Sequence, residues 1–413
     1  MVKKYDVFEY MYSKGGPFRP EEIANAFKKS SISYHGIYNI LLDLRRLKLI
    51  AKNEYGFQAK RNEKNGLLYK MIKFCLKNDI DYNDFLDSKI AAFISETFLK
   101  KRITAKEVDI DQRTFSKYTG ILEKSGFLIP ISRKPFTATI PYNTFLRDLT
   151  AYFGKKVLVA KAKQDEYLEE IGKEIIRFNK LRSRNEARYR RIANECEIKF
   201  IQHSLSIEGN PITLPDTIKL LKERIVPSEY STESILELQN YQNAISQMNK
   251  DAEEGKPLTK ESILNYHRIA MLHRADIAGK IRVRPVVIRG NPDYGTANAK
   301  SIEPRLDSLI NKYNQFISRK KNSLKDILDF AAYFHNEFQH IHPFEDGNSR
   351  TTRLIVFHIL RTQNIPILDI PLGLLESYIF STKGAKKRDD KSLNQVLQQI
   401  VLYNLKIMDE KLS

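Results

Sequence analysis

Two apolar helical runs meet at a proline and a glycine, and that junction limits the chain more than any other stretch. Leu324 to Gln339 repeats apolar residues at helical spacing (Ile327, Leu328, Phe330, Ala331, Phe334, Phe338), and Leu354 to Leu360 does so again. Between them lies His342-Pro343-Phe344-Glu345-Asp346-Gly347-Asn348-Ser349-Arg350-Thr351-Thr352-Arg353. Proline is unfavourable inside a helix, so the first run stops near His340 or Ile341 and leaves His342 at a helix C-terminus. Gly347 permits a tight loop and a close backbone approach to a ligand. Thr351 and Thr352 open the second helix, whose first N–H groups point back at the loop and form an anion site. Arg350 and Arg353, three apart, share a helical face. Asp346 is an oxygen ligand suited to a Mg²⁺ that bridges phosphates. A base, a carboxylate, loop amides and two arginines together suit phosphoryl or nucleotidyl transfer.

The other features say where such a site can work. With 413 residues, 42% hydrophobic and 29% charged, the chain is long enough for two to four globular domains. No apolar run approaches the roughly 18 residues of a membrane span. The N-terminus Met1-Val2-Lys3-Lys4-Tyr5-Asp6 lacks an apolar signal core. Cys75 and Cys196 lie far apart, without metal-ligand spacing. A cytoplasmic protein with two structural thiols and no membrane partner is the expectation. The net charge of +19 is uneven: residues 1–200 hold 40 basic against 25 acidic residues, and residues 201–413 hold 29 against 25. That excess points the N-terminal half toward a polyanion.

Four segments are expected, giving a mainly α protein. Residues 1–62 read as a winged-helix domain. It has a helix over Val7 to Tyr12, one from Pro20 to Phe27, and one from Tyr34 to Leu47 capped by Ser31 to Ser33. A hairpin follows, from Leu49-Ile50-Ala51 to Tyr55-Gly56-Phe57. Residues 63–150 read as a second winged helix: Asp87 to Phe98, Thr104 to Val108, Asp111 to Ser125, then strands Phe127-Leu128-Ile129 and Phe136 to Ile140. The third helices expose Tyr34, His35, Tyr38 and Asn39, and Gln112, Arg113, Ser116 and Lys117. DNA is a candidate partner of residues 1–150, and protein docking is the alternative. Residues 151–195 form a connector, read as one charged helix running from Lys155 to about Phe200. Residues 196–413 are a helical domain with one extended exception, Gly279 to Ile288, a hairpin-like flap punctuated by Gly290-Asn291-Pro292. Lys383 to Lys391 is a charged loop.

The stretch from His342 to Arg353 resembles the signature of the Fic (filamentation induced by cAMP) family, His-x-Phe-x-Asp/Glu-Gly-Asn-Gly-Arg-x-x-Arg. It matches every fixed position but one, where Ser349 replaces glycine. The likeness extends to His335-Asn336-Glu337-Phe338-Gln339-His340-Ile341 and to Ala278-Gly279-Lys280-Ile281-Arg282, and covers about residues 195–400. It implies an all-helical Fic core and transfer of AMP from ATP, with Mg²⁺, to a Ser, Thr or Tyr hydroxyl of a protein, the chain itself included. His342 is then the general base and Asp346 the Mg²⁺ ligand. Asn348, Arg350 and the backbone of Gly347 to Arg350 hold the α- and β-phosphates, and Arg353 the γ-phosphate. Phe344 and Ser349 count with this nucleotide-holding set, Tyr378 flanks the adenine, and Val286, Val287 and Ile288 of the flap register the target by strand addition. His335 and His340 read as structural. In the related Doc (death-on-curing) branch the glycine position is lysine and the reaction is phosphoryl transfer; serine is smaller, and AMP transfer is expected to survive it.

A second motif, Ser204-Leu205-Ser206-Ile207-Glu208-Gly209-Asn210, resembles the family's inhibitory signature, Ser/Thr-x-x-x-Glu-Gly/Asn. The resemblance implies that Ser204, Glu208 and Gly209 belong to an inhibitory helix in the same polypeptide, with Glu208 paired to Arg353 in the γ-phosphate site. Removal of AMP at the same site is the enzymatic alternative, and a DNA-binding regulator with a weak Fic domain is the alternative from another class. A homodimer is a further expectation, since many relatives form one.

Overall fold

The computed structural model describes all residues except 1, 31, 99, 101, 109, 156–166, 289–290, 367 and 383–387. Most of the 383–391 loop and the start of the connector fall outside the described residues. By their internal packing the described residues divide into two compact units. One comprises 1–98, 112–121 and 144–159; the other comprises 99–111, 122–143 and 160–413.

In the first unit α1 (Lys4–Lys14), β1 (Pro17–Phe18), α2 (Pro20–Ala26), α3 (Tyr34–Arg46), β2 (Ile50–Asn53) and β3 (Gly56–Ala59) follow one another. The strands form one antiparallel sheet, β1-β3-β2, with Phe18 opposite Phe57 and Ile50 opposite Ala59. Ser33 caps α3 by accepting the Gly36 N–H at 3.1 Å. Ile37, Leu41 and Leu44 turn inward from α3, while Tyr34, His35 and Asn39 are exposed and Tyr38 is half-buried. The two-residue β1 is too short to give a sequence period, which is why only the hairpin was legible. α4 (Glu63–Lys77), α5 (Tyr82–Phe85), α6 (Ser88–Thr97), α7 (Gln112–Lys124) and, beyond a hairpin, α8 (Thr144–Tyr152) continue the chain. The side chains of Gln112, Arg113, Ser116 and Lys117 are exposed. The helices of the expected second winged helix fall mainly in this unit. Its hairpin, β4 (Ile129–Arg133) with β5 (Phe136–Thr139), belongs to the other, where Ile103 bridges Ala138.

The second unit is helical. The expected single connector helix is two: α9 (Leu168–Arg184) and α10 (Glu186–Ile207). The break is one residue long. Asn185 leaves helical dihedrals (φ −149°, ψ 64°) and its side chain caps α10 by accepting the Arg188 N–H at 3.1 Å. One non-helical residue is too short to register against a 3.6-residue period. After α11 (Leu214–Ile218), α12 (Thr232–Glu253) packs on α13 (Lys260–Ala270) and on the second helix of the signature. α14 (Ile302–Ile317), α15 (Leu324–Ile341), α16 (Asn348–Thr362), α17 (Leu372–Phe380) and α18 (Asp390–Leu412) complete the unit. α15 packs on both α16 and α18, burying Leu328, Phe334, Phe338, Leu354, Ile355 and Leu360 completely. Such a core fixes the α15–α16 junction rigidly, as a reaction site requires. Among the described residues no helix is long and apolar enough to cross a membrane.

Candidate active site

His342 ends α15 in the left-handed region (φ 48°, ψ 61°), its N–H bonded to the Phe338 carbonyl at 2.9 Å. For a non-glycine residue this conformation is uncommon and gathers at functional positions. The imidazole Nδ1 lies 3.2 Å from the Gln339 carbonyl. A carbonyl only accepts, so in the neutral ring Nδ1 carries the proton and Nε2 the lone pair.

Gly347 is the N-cap of α16 at φ 78°. A Cβ there would stand 2.8 Å from Met271 Sδ and 3.1 Å from the His267 ring, so the position requires glycine for both dihedral and space. We expect Gly347→Ala to lower stability by about 1–3 kcal/mol and to weaken nucleotide binding, read by melting temperature and calorimetry. Asn348 staples the loop: its Oδ1 accepts the Phe344 N–H at 3.0 Å and its Nδ2 donates to the Phe344 carbonyl at 2.8 Å. The Phe344 side chain is fully buried and stacks on the His267 ring, centroids 3.6 Å apart. It lines neither cavity described below, so its side chain supports the loop from behind.

His267 was not singled out by any motif, being one histidine in an apolar run. Its Nδ1 accepts the Gly279 N–H at 2.9 Å, which leaves Nε2–H to donate to the Asp346 carbonyl at 3.0 Å. Burial pushes its pKa down to about 4, so this tautomer stays neutral. Arg282 is the second residue whose part the sequence hid, because the strand-like alternation of the flap drew attention from it. It is 2% exposed, and its guanidinium donates to the carbonyls of His342 (2.6 Å), Arg284 (2.7 Å) and Ala297 (2.6 Å). Its own N–H bonds the Pro343 carbonyl at 2.9 Å. A buried cation thus sits at the negative end of α15 and ties the flap to the loop. Arg282→Ala should cost about 3 kcal/mol, measured by urea unfolding, because several buried carbonyls lose their donor at once.

Asp346 is about half exposed and accepts the Gly347 N–H at 2.6 Å. Desolvation would raise its pKa, but Arg350 at 3.0 Å and the Gly347 amide outweigh that and hold it below the ordinary carboxylate value. An ionised, half-exposed carboxylate fits a Mg²⁺ that takes its other ligands from phosphate and water. Among the described residues no group of three or more His, Cys, Asp or Glu could hold a metal by itself. Arg350 is buried and pairs on its other side with Glu237 of α12, a partner no motif announced.

Glu208 and Arg353, 145 residues apart in sequence, meet at 3.1 Å. Arg353 is 2% exposed and also donates to Ser204 Oγ (2.6 Å) and to the Ser204 carbonyl (3.1 Å). Glu208 ends α10, and Gly209 at φ 100° turns the chain away. Tyr378 is buried, its hydroxyl 2.6 Å from His335 Nε2, and burial lowers the His335 pKa to about 3.

Two cavities share Gln339 and Ser349. One of about 180 Å³ is lined by His342, Asp346 to Arg350, Glu208, Val287 and Ile288. The other lies over Arg353, Tyr378 and His335. In the flap Val287 is exposed, Val286 is partly buried and Ile288 buried, and Ile288 forms an isolated bridge with Asn291. Thr296 Oγ1 donates to the Val286 carbonyl at 3.2 Å.

This junction of a capped helix, glycine loop and helix N-terminus within a helical core is the Fic arrangement. Residues 257–360 match the Fic/DOC family, and the chain carries a Fic domain. A protein named protein adenylyltransferase Fic from Drosophila persimilis is 29% identical over 201 residues, 48% of this chain and 38% of its own length. The protein of the same name from Drosophila grimshawi is 30% identical over 204 residues, 49% of this chain and 41% of its own length. The chain thus spans about two fifths of the curated relatives it matches. A crystal structure of a Fic domain containing signaling protein from Bacteroides thetaiotaomicron superposes with a TM-score of 0.51 at 20% identity. It covers 59% of this chain and 96% of that one, a likeness of fold.

Proposed function

We propose that the chain is a protein adenylyltransferase that uses Mg-ATP and is restrained by its own Glu208. The observation that carries this reading is that His342, at the end of α15, lines the same cavity as the α16 N-terminus, Asp346 and Arg350. The names of the Drosophila relatives support it. The hydroxyl oxygen of a target side chain attacks the α-phosphorus, the bond to the pyrophosphate oxygen breaks, and the hydroxyl proton passes to His342 Nε2. The amides of the α16 first turn and Arg350 hold the phosphates. Mg²⁺ on Asp346, when bound, neutralises phosphate charge. Arg353 is the natural γ-phosphate partner, and Glu208 claims that arginine in the structure.

Self-modification supplies the test. Glu208→Gly protein incubated with Mg-ATP is expected to gain AMP, seen by mass spectrometry. A phosphate adduct would replace the reading with phosphoryl transfer from a nucleotide re-aimed by Ser349, and no adduct on the protein or on any co-incubated protein would overturn it. Asp346→Asn should weaken Mg-ATP binding by about tenfold or more, and the loss should disappear or reverse in EDTA, because Arg350 then has one carboxylate fewer to leave.

For the N-terminal unit we propose a docking role through α3, whose exposed face carries Tyr34, His35 and Asn39. A salt-dependent shift of duplex DNA by the full chain would identify the partner as nucleic acid; its absence would leave protein docking.

A further inference from the structure

Glu237 lies outside both motifs, yet it touches the phosphate-side arginine and the inhibitory segment at once. Its Oε1 pairs with Arg350 Nη1, and its Oε2 accepts from Asn210 Nδ2 at 2.8 Å. Tyr241, four residues on and therefore on the same face of α12, repeats the pattern. Its hydroxyl accepts from Ser204 Oγ at 2.9 Å and reaches the Arg350 carbonyl at 3.5 Å. Ser204 and Asn210 bracket Glu208, so one face of α12 grips both ends of the segment that carries it. Asn210 is buried and shapes the turn after Gly209: its N–H bonds the Leu205 carbonyl and its Oδ1 accepts the Ile212 N–H at 3.0 Å.

Arg350 is shared between Glu237 and Asp346. One buried guanidinium against two carboxylates leaves the site with an excess of negative charge. An arriving polyphosphate must draw Arg350 from one of them. Asp346 is half exposed and can turn to a cation, whereas the Glu237 side chain is 16% exposed and has Asn210 as its other partner. Losing Arg350 leaves Glu237 a buried carboxylate short of compensation, which favours its reorientation and so weakens the hold on Asn210, whose Nδ2 then keeps the Ser234 carbonyl at 3.1 Å.

We propose that Glu237 is a positioning residue that couples Arg350 to the inhibitory segment, so that phosphate engagement at Arg350 loosens the turn holding Glu208. The proposal rests on the nucleotide-transfer reading of the site. By linkage the coupling is reciprocal: anything that loosens Asn210 tightens nucleotide binding.

The test uses the full chain in a His342→Asn background, so that no turnover disturbs binding and the left-handed loop is kept. Glu237→Gln, which keeps shape and removes charge, is expected to bind Mg-ATP about fivefold tighter or more by calorimetry. It should also speed amide exchange at residues 206–208, which it does not touch. Asn210→Ala, which leaves Arg350 alone, is expected to tighten binding in the same direction. In Glu208→Gly protein both gains should shrink, because the lock they act through is gone. Weaker or unchanged binding in Glu237→Gln would make it a simple support of Arg350 and overturn the coupling, as would gains that add in full to Glu208→Gly. If no variant binds Mg-ATP, the nucleotide reading falls, and unchanged exchange in Glu237→Gln without nucleotide overturns the coupling separately.

Discussion

His342→Ala should lower self-modification of the unlocked protein by roughly 10²–10⁴-fold, the usual worth of a positioned base, while Mg-ATP binding persists. Two effects would be mixed in that single change. His342 holds a left-handed backbone at φ 48°, and an alanine there costs of order 1 kcal/mol, so part of any loss would come from a shifted loop. His342→Asn separates them. Asparagine tolerates the left-handed region but has no basic nitrogen, so transfer should be lost while melting temperature and nucleotide affinity stay near those of the parent. If His342→Asn retained transfer within a few fold, another group would be the base, and the Nδ1 bond to Gln339 would be a helix-end contact alone.

Glu208→Gly should move activity and stability in opposite directions, and that opposition marks a lock. Transfer from labelled ATP is expected to rise roughly 5- to 150-fold, because Arg353 becomes available to the γ-phosphate. Stability should fall by about 1.5–3 kcal/mol, read by urea unfolding, because a 2%-exposed guanidinium loses a carboxylate. Ser204 moderates the loss, since its hydroxyl and carbonyl still accept from Arg353. Added ATP should recover part of the stability in Glu208→Gly and less of it in the parent. Unchanged transfer together with lowered stability would reduce the pair to a structural ion pair.

The line between what was legible and what was hidden follows the range of each interaction. Pro343 ending α15 is a local backbone fact and lies where the sequence put it, whereas α16 opens at Asn348 with Gly347 as its N-cap, three residues before the Thr351-Thr352 pair expected to open it, because a glycine in the left-handed region lets the helix start directly from the loop. The capping of α3 by Ser33 is local too. The break at Asn185 was missed because an apolar period reads through a single non-helical residue. The two-residue β1 was missed because a strand that short exists only by its pairing with β3.

In the site itself the sequence supplied a family likeness and hence residue types: a histidine, a carboxylate, two arginines and an upstream glutamate. The likeness paired Glu208 with Arg353, but nothing in the chain order gave Arg350 its partner, because the cost of closing a loop rises only slowly with its length. Packing of α10 and α12 beside α16 decided it. Glu208 stands on Arg353, and Glu237, an acid with no motif around it, stands on Arg350. Packing also made Phe344 a core side chain stacked on His267 and placed Arg282 under the loop. Backbone stops, caps and glycine conformations are fixed by neighbours in sequence and so can be read there. A buried charge is fixed by whichever partner the fold brings within about 3 Å of it; where no motif marks that partner, as with Glu237 on Arg350, only the tertiary structure names it.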